Sequence, residues 1–149
     1  MTTLTVTEQQ LRLIQSALDF YSRVGIGQTW VIKDHPTYQR VLHTKLREDN
    51  DGVVDYEKYH DARERADILF SQGRNLLLQE EKHANGSYGI HHPNVDEWCR
   101  MAFDIVQVIR HEFWKRNPDR SEITVDSHIH FTSTEDSYKI KCNISETNS

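Results

Sequence analysis

Val95-Asp96-Glu97-Trp98-Cys99-Arg100-Met101-Ala102-Phe103-Asp104-Ile105-Val106-Gln107-Val108-Ile109-Arg110-His111-Glu112-Phe113-Trp114-Lys115-Arg116 is the stretch that decides the fold. Wound at 3.6 residues per turn it makes about six turns. Glu97, Arg100, Asp104, Gln107, His111 and Lys115 then fall in one narrow polar stripe. Val95, Trp98, Met101, Ala102, Phe103, Ile105, Val106, Val108, Ile109 and Phe113 occupy most of the rest. A helix apolar around most of its circumference is a central one, covered by several neighbours. Arg110 lies outside the stripe, beside Phe103, where a charge needs a partner. Before this helix, Asn85-Gly86 is a turn signal. After it, Asn117-Pro118-Asp119 is the stop, because proline cannot continue a helix.

Working outward, Thr7 and Gln10 have the spacing of a capping box that opens a first helix. Leu11, Ile14, Ala17, Leu18 and Tyr21 form its apolar face, while Arg12, Asp19 and Arg23 point away. Gly25-Ile26-Gly27 closes it, since glycine supplies the left-handed turn. Trp30, Val31 and Ile32 read as a brief extended link. His35-Pro36 starts a second helix with proline in its first turn, and Tyr38, Val41, Leu42 and Leu46 give it one buried face. Residues 48–60 read as an acidic surface loop. A third helix runs from Asp61 to about His83 on the stripe Ala62, Ala66, Leu69, Leu76 and Leu77, with Gly73 costing roughly 1 kcal/mol against alanine.

The period changes beyond the central helix. Ile123, Val125, Ile129 and Phe131 alternate with Thr124, Asp126, His128 and His130, as in a half-buried strand. After a turn at 133–137, Tyr138, Ile140, Cys142 and Ile144 alternate with Lys139, Lys141 and Asn143. A lone hairpin is marginal, so its apolar face must lie on the helices or pair with another chain. The expected fold class is mainly α (α+β): one domain over 1–149, about four helices with a C-terminal β-hairpin, and a flexible tail at 145–149.

With 149 residues and a net charge of −5, the chain is not expected to bind a nucleic-acid backbone, which calls for a basic face. No apolar run approaches the roughly 18 residues of a membrane span, and Met1 to Thr7 lacks the regions of a secretory signal. Cys99 and Cys142 have no CxxC spacing and read as small buried hydrophobes in a reducing cytoplasm.

Several patterns invite chemistry. With Gly52 at the sixth place of a calcium loop, Asp49, Asp51, Val54 and Asp55 fall in suitable positions. Arg47 and Lys58 would then take the first and last ligand places, which need carboxylates, so a solvated acidic loop is expected. Asp126-x-His128-x-His130 could supply three metal ligands. Lys139 and Lys141, on the same predicted face, would repel the cation. His130-Phe131-Thr132 matches the His-x-Thr element of two-histidine phosphoesterases, but His43-Thr44 has the wrong spacing for the second element. Gly25-Ile26-Gly27 fails the dinucleotide fingerprint. No Ser/His/Asp or Cys/His set stands out, so neither catalysis nor a cofactor is expected.

Arg110 and His111, with Gln107, could contact an anionic ligand, because arginine offers a planar fork of donors to phosphate or carboxylate. Ser87-Tyr88-Gly89 could add backbone donors and an aromatic face. The structural alternative is an ion pair from Arg110 to Asp19 or Asp104, with His111 satisfied by the helix dipole. Trp30, Trp98 and Trp114 read as core or interface aromatics.

The block Leu11-Arg12-Leu13-Ile14-Gln15-Ser16-Ala17-Leu18-Asp19-Phe20-Tyr21-Ser22-Arg23-Val24-Gly25-Ile26-Gly27-Gln28 resembles the opening of a family of small uncharacterised proteins of tailed bacteriophages and their bacterial hosts. Asn85-Gly86-Ser87-Tyr88-Gly89-Ile90 and Gln107-Val108-Ile109-Arg110-His111 resemble two further blocks of it. The resemblance implies a phage setting, where small proteins without enzymatic motifs include ones that sequester nucleotide immune messengers. The leading expectation is a non-catalytic, cytoplasmic, self-associating protein that binds and sequesters a small anionic ligand, such as a nucleotide. Its candidate ligand-binding residues are Arg23, Gln28, Ser87, Tyr88, Gln107, Arg110 and His111. A module that inhibits or recruits a host protein is the alternative, and a metal-dependent hydrolase using Asp126, His128 and His130 is a third.

Overall fold

A computed structural model describes residues 4–78 and 86–116. Among these the chain is helical: α1 Glu8–Gly25, a 3₁₀ turn Thr29–Ile32, α2 Pro36–Glu48, α3 Tyr56–Leu78 and α4 Glu97–Arg116. The expected hairpin and tail, Asn85 of the predicted turn, and the predicted end of the third helix near His83 lie outside the described residues. No helix among the described residues is long and apolar enough to cross a membrane. The described residues fall into two compact units. One holds α1 and residues 89–116, and the other holds residues 27–78 with 86–88.

In the first unit α1 starts where the sequence places it. Thr7 Oγ1 accepts the Gln10 N–H at 3.2 Å and Gln10 Oε1 accepts the Thr7 N–H at 2.8 Å. That reciprocal pair satisfies two of the donors a helix start leaves open. The start of α4 is Glu97 rather than Val95, because the Asp96 side chain accepts the Trp98 N–H at 2.8 Å as a cap. As expected, α4 is central: Cys99, Ala102, Val106, Val108, Ile109 and Phe113 are all buried. Trp98 departs from that pattern and stands exposed.

The two helices run antiparallel. Glu8 meets Arg116 at 3.5 Å, Arg12 lies 4.1 Å above the Phe113 ring, and Asp19 meets Arg110 at 2.9 Å. They pack tightly at Gly25, where an added Cβ would sit 2.0 Å from Cys99 Sγ and 3.0 Å from Cys99 Cβ. Gly25 therefore serves the crossing. Gly27, at φ 86°, supplies the left-handed residue after the helix.

The second unit departs further from the expected pattern. The link at Trp30–Ile32 is a 3₁₀ turn rather than extended chain, because Lys33 N–H and Asp34 N–H bond back to the carbonyls of Trp30 and Val31 at 3.2 and 3.1 Å. α2 opens as predicted, with His35 Nδ1 accepting the Thr37 N–H at 3.3 Å ahead of Pro36. Of its expected buried face only Leu46 is buried, and Tyr38 and Val41 are exposed. α3 starts at Tyr56, five residues before the sequence reading, because Asp55 Oδ1 accepts the Lys58 N–H at 3.1 Å. The acidic loop shortens accordingly and turns through Asp51 (φ 49°) and Gly52 (φ 84°).

The α3 face also differs from the one expected. Leu76 and Leu77 are 80% and 84% exposed, and Leu69 is exposed as well. The buried residues of α3 are Ser71 and Arg74. The polar side does the packing: Thr29 Oγ1 donates to the Phe70 carbonyl at 3.2 Å, and Lys33 Nζ meets Asp67 at 2.5 Å. Between α2 and α3, the Tyr59 hydroxyl donates to Gln39 Oε1, and Arg63 bonds Asp34. Arg63 loses some charge stability to burial, but its hydrogen bond to Asp34 and the charge there more than restore it, so its pKa rises.

Candidate anion site

Asp19 is the pivot of the first unit's polar chemistry. On α1 it accepts Arg23 Nε at 2.7 Å on Oδ2, an i,i+4 pair. From α4, Arg110 Nη2 reaches Oδ1 of the same carboxylate at 2.9 Å. Two guanidinium groups thus share one carboxylate. The side chains of Arg23, Asp19 and Arg110 are 45%, 25% and 22% exposed, so the cluster reaches solvent while being partly shielded. In that setting a charge is screened less than at a free surface.

Among the described residues Asp19 is the only partner of Arg110, through one nitrogen. A guanidinium has five N–H donors, so most of the Arg110 fork is available to an outside acceptor. Gln107 lies one turn earlier on α4, and its Oε1 is buried with no hydrogen-bond partner. One turn later Trp114 stacks on His111, with ring centroids 5.6 Å apart and planes 24° apart. The ion pair to Asp19 is the structural use that the sequence offered for Arg110, and the unused donors are what it leaves over.

The predicted ligand set falls into both units. Arg23, Gln107, Arg110 and His111 belong to the first, with Arg23 and Arg110 brought together by Asp19. Gln28, Ser87 and Tyr88 belong to the second, where Tyr88 is buried. Their neighbours are held by Arg74, which is 3% exposed and donates to the carbonyls of Gly27, at 3.4 Å, and Gly86. Sequence reading missed Arg74, because it follows Gly73 on the polar side of a helix and looks solvated there. Asp19 had a readable signal, its i,i+4 spacing to Arg23.

Other candidates resolve differently. Asp55 holds Lys58 through its N–H and, at 3.1 Å, its Nζ. The backbone bond first, then the Lys58 side chain, holds its carboxyl below the usual range. Among the described residues no three or more His, Cys, Asp or Glu side chains gather as a metal site. Asp126, His128 and His130 lie outside the described residues. Burial and then Asp96 push the Cys99 thiol up, only partly offset by a hydrogen bond with Tyr21. The Tyr21 phenol is raised in turn, chiefly by Cys99. Both groups stay neutral, which suits packing and not nucleophilic attack.

Comparisons with family models, with curated proteins and with solved structures give no match to this chain.

Proposed function

We propose that the protein binds a small anion at Arg23 and Arg110 and does not turn it over. The observation that carries this reading is the single Asp19 carboxylate shared by two arginines from different helices. Asp19 fixes both guanidinium groups in place, so little side-chain freedom remains to be lost on binding. The donors of Arg110 that Asp19 leaves unused suit a phosphate or carboxylate. The resemblance of three blocks to small phage proteins supports the finer reading: a cytoplasmic, self-associating protein that sequesters a nucleotide signal.

Calorimetry with inorganic phosphate, cyclic nucleotides and ADP-ribose derivatives tests the proposal. Saturable binding of at least one, with the compound recovered unchanged, is the expected result. Recovery of chemically altered nucleotide would make the protein an enzyme, and no binding to any of them would remove the site. The exposed Trp98 favours a protein partner as the second reading. Capture of a host protein by the wild type but not by Trp98→Ala, without anion binding, is its signature.

A further inference from the structure

One face of α3 carries an apolar seam that the described residues leave open. Ala62, Ala66, Leu69, Gly73 and Leu76 follow one another at steps of four, three, four and three residues, the spacing of a helix wound against another helix. Leu69 and Leu76 are 67% and 80% exposed, and Leu77 beside them is 84% exposed. An added Cβ at Gly73 would meet nothing within 4 Å among the described residues, although glycine weakens a helix interior. From Ala66 to Leu78 the charged residues are Asp67 and Arg74. Both are engaged within their own unit, Asp67 by Lys33 and Arg74 by the carbonyls of Gly27 and Gly86. Arg65, next to the seam, meets Asp61 at 3.0 Å. The seam is thus apolar and uncharged on a chain of net charge −5, so two copies can meet there without opposing like charges.

We infer that two copies of the chain pair through α3, antiparallel about a two-fold axis at Leu69. Such a contact needs a surface complementary to itself. Antiparallel pairing sets Leu69 against the partner's Leu69 and Ala62 against the partner's Leu76, so that large faces small. Parallel pairing would set Ala62, Ala66 and Gly73 on their own counterparts and leave voids. The three leucines expose on the order of 400 Å² per copy, the size of a functional patch. With the flanking Arg65 and Gln72, two copies cover roughly 1,000 Å², the lower limit of a specific interface. The pair is therefore weak and concentration-dependent. It does not depend on the anion site, and either can fail alone.

Sedimentation equilibrium of the whole chain between about 1 and 200 μM is the test. The wild type is expected to pass from monomer to dimer over that range. Leu69→Glu and Leu69→Lys, each placing like charges on the axis, should weaken pairing at least about tenfold, and an equimolar mixture of the two should dimerise again. A mixture of Ala62→Glu and Leu76→Lys should dimerise better than either alone, because antiparallel pairing brings those two positions together. All four variants should melt within about 4 °C of the wild type at about 1 μM, where the chain is single. A wild type that stays monomeric throughout would overturn the pairing and leave the face to a different protein. Leu69→Glu dimerising like the wild type, or neither mixture re-forming a dimer, would overturn it as well. Rescue by the first mixture alone would overturn the antiparallel register. A larger fall in melting temperature in the dilute variants would also overturn it, by showing that the seam packs within the chain.

Discussion

Gly25→Ala sets helix propensity against packing at the point where α1 and α4 cross. Alanine is the better helix former by about 1 kcal/mol, and Gly25 is helical, so a surface argument predicts stabilisation. The structure predicts the reverse, because the new Cβ would lie 2.0 Å from Cys99 Sγ and 3.0 Å from Cys99 Cβ. Rotating the thiol away relieves the first contact, but Cys99 is buried and the second contact involves an atom fixed to the backbone. Overpacking of this kind costs roughly 1–3 kcal/mol. A clash with a buried atom fixed to the backbone belongs in the upper half of that range, about 2–3 kcal/mol, so net of propensity Gly25→Ala should destabilise by about 1–2 kcal/mol, or roughly 2–8 °C in melting temperature for a chain of this size. Thermal unfolding followed by circular dichroism reads that shift. Cys99→Ala removes Sγ, so the double variant should regain most of the loss, with a coupling of at least about 0.5 kcal/mol. A Gly25→Ala protein as stable as the wild type, or more so, would refute the close approach.

Arg74→Lys should cost about 2–4 kcal/mol in denaturant unfolding, because a point charge cannot reproduce charge-assisted bonds to the carbonyls of both Gly27 and Gly86. A loss under about 0.5 kcal/mol, the level of a surface change, would contradict it. Leu76→Ala should change stability by no more than about 0.5 kcal/mol, since Leu76 is exposed, whereas Ile109→Ala should cost about 2–5 kcal/mol. Equal losses would restore the apolar stripe as the packed face of α3. The folded Asp55 has a lowered pKa. Its stabilising contribution is therefore complete above the ordinary aspartate range and is lost as pH falls through the folded value. Hydrogen-exchange protection factors at the start of α3, corrected for the intrinsic pH dependence of exchange, should fall over that acid range in the wild type and be less pH-dependent in Asp55→Asn.

What could be read in the sequence follows from how local the cause is. The cap at Thr7 and Gln10, the proline start of α2 and the central position of α4 are set by neighbouring residues or by one helix's own periodicity. The start of α3 was missed because Asp55 belongs to an acidic run in which any carboxylate could have been the cap. Its packed face was missed for another reason. Leu69, Leu76 and Leu77 have the spacing of a core stripe, yet the unit closes through Thr29, Lys33 and Arg74, whose partners are distant in sequence. At the candidate site Arg110 stood out as a charge among apolar residues. Its pairing with Asp19 was one of two choices, and only the helix crossing selects it. The pairing of Arg23 with Asp19 is local to α1, and the arrival of Arg110 on the same carboxylate needed the fold.

The most direct test of the anion site is the phosphate titration repeated on Arg110→Lys, with melting temperature measured on the same protein. Lysine keeps the charge beside Asp19 and loses the fork. The account predicts binding weaker by about 10- to 150-fold, the equivalent of a charge-assisted hydrogen bond of about 1.5–3 kcal/mol, with a melting temperature within about 4 °C of the wild type. Unchanged phosphate affinity in a folded Arg110→Lys protein would contradict it.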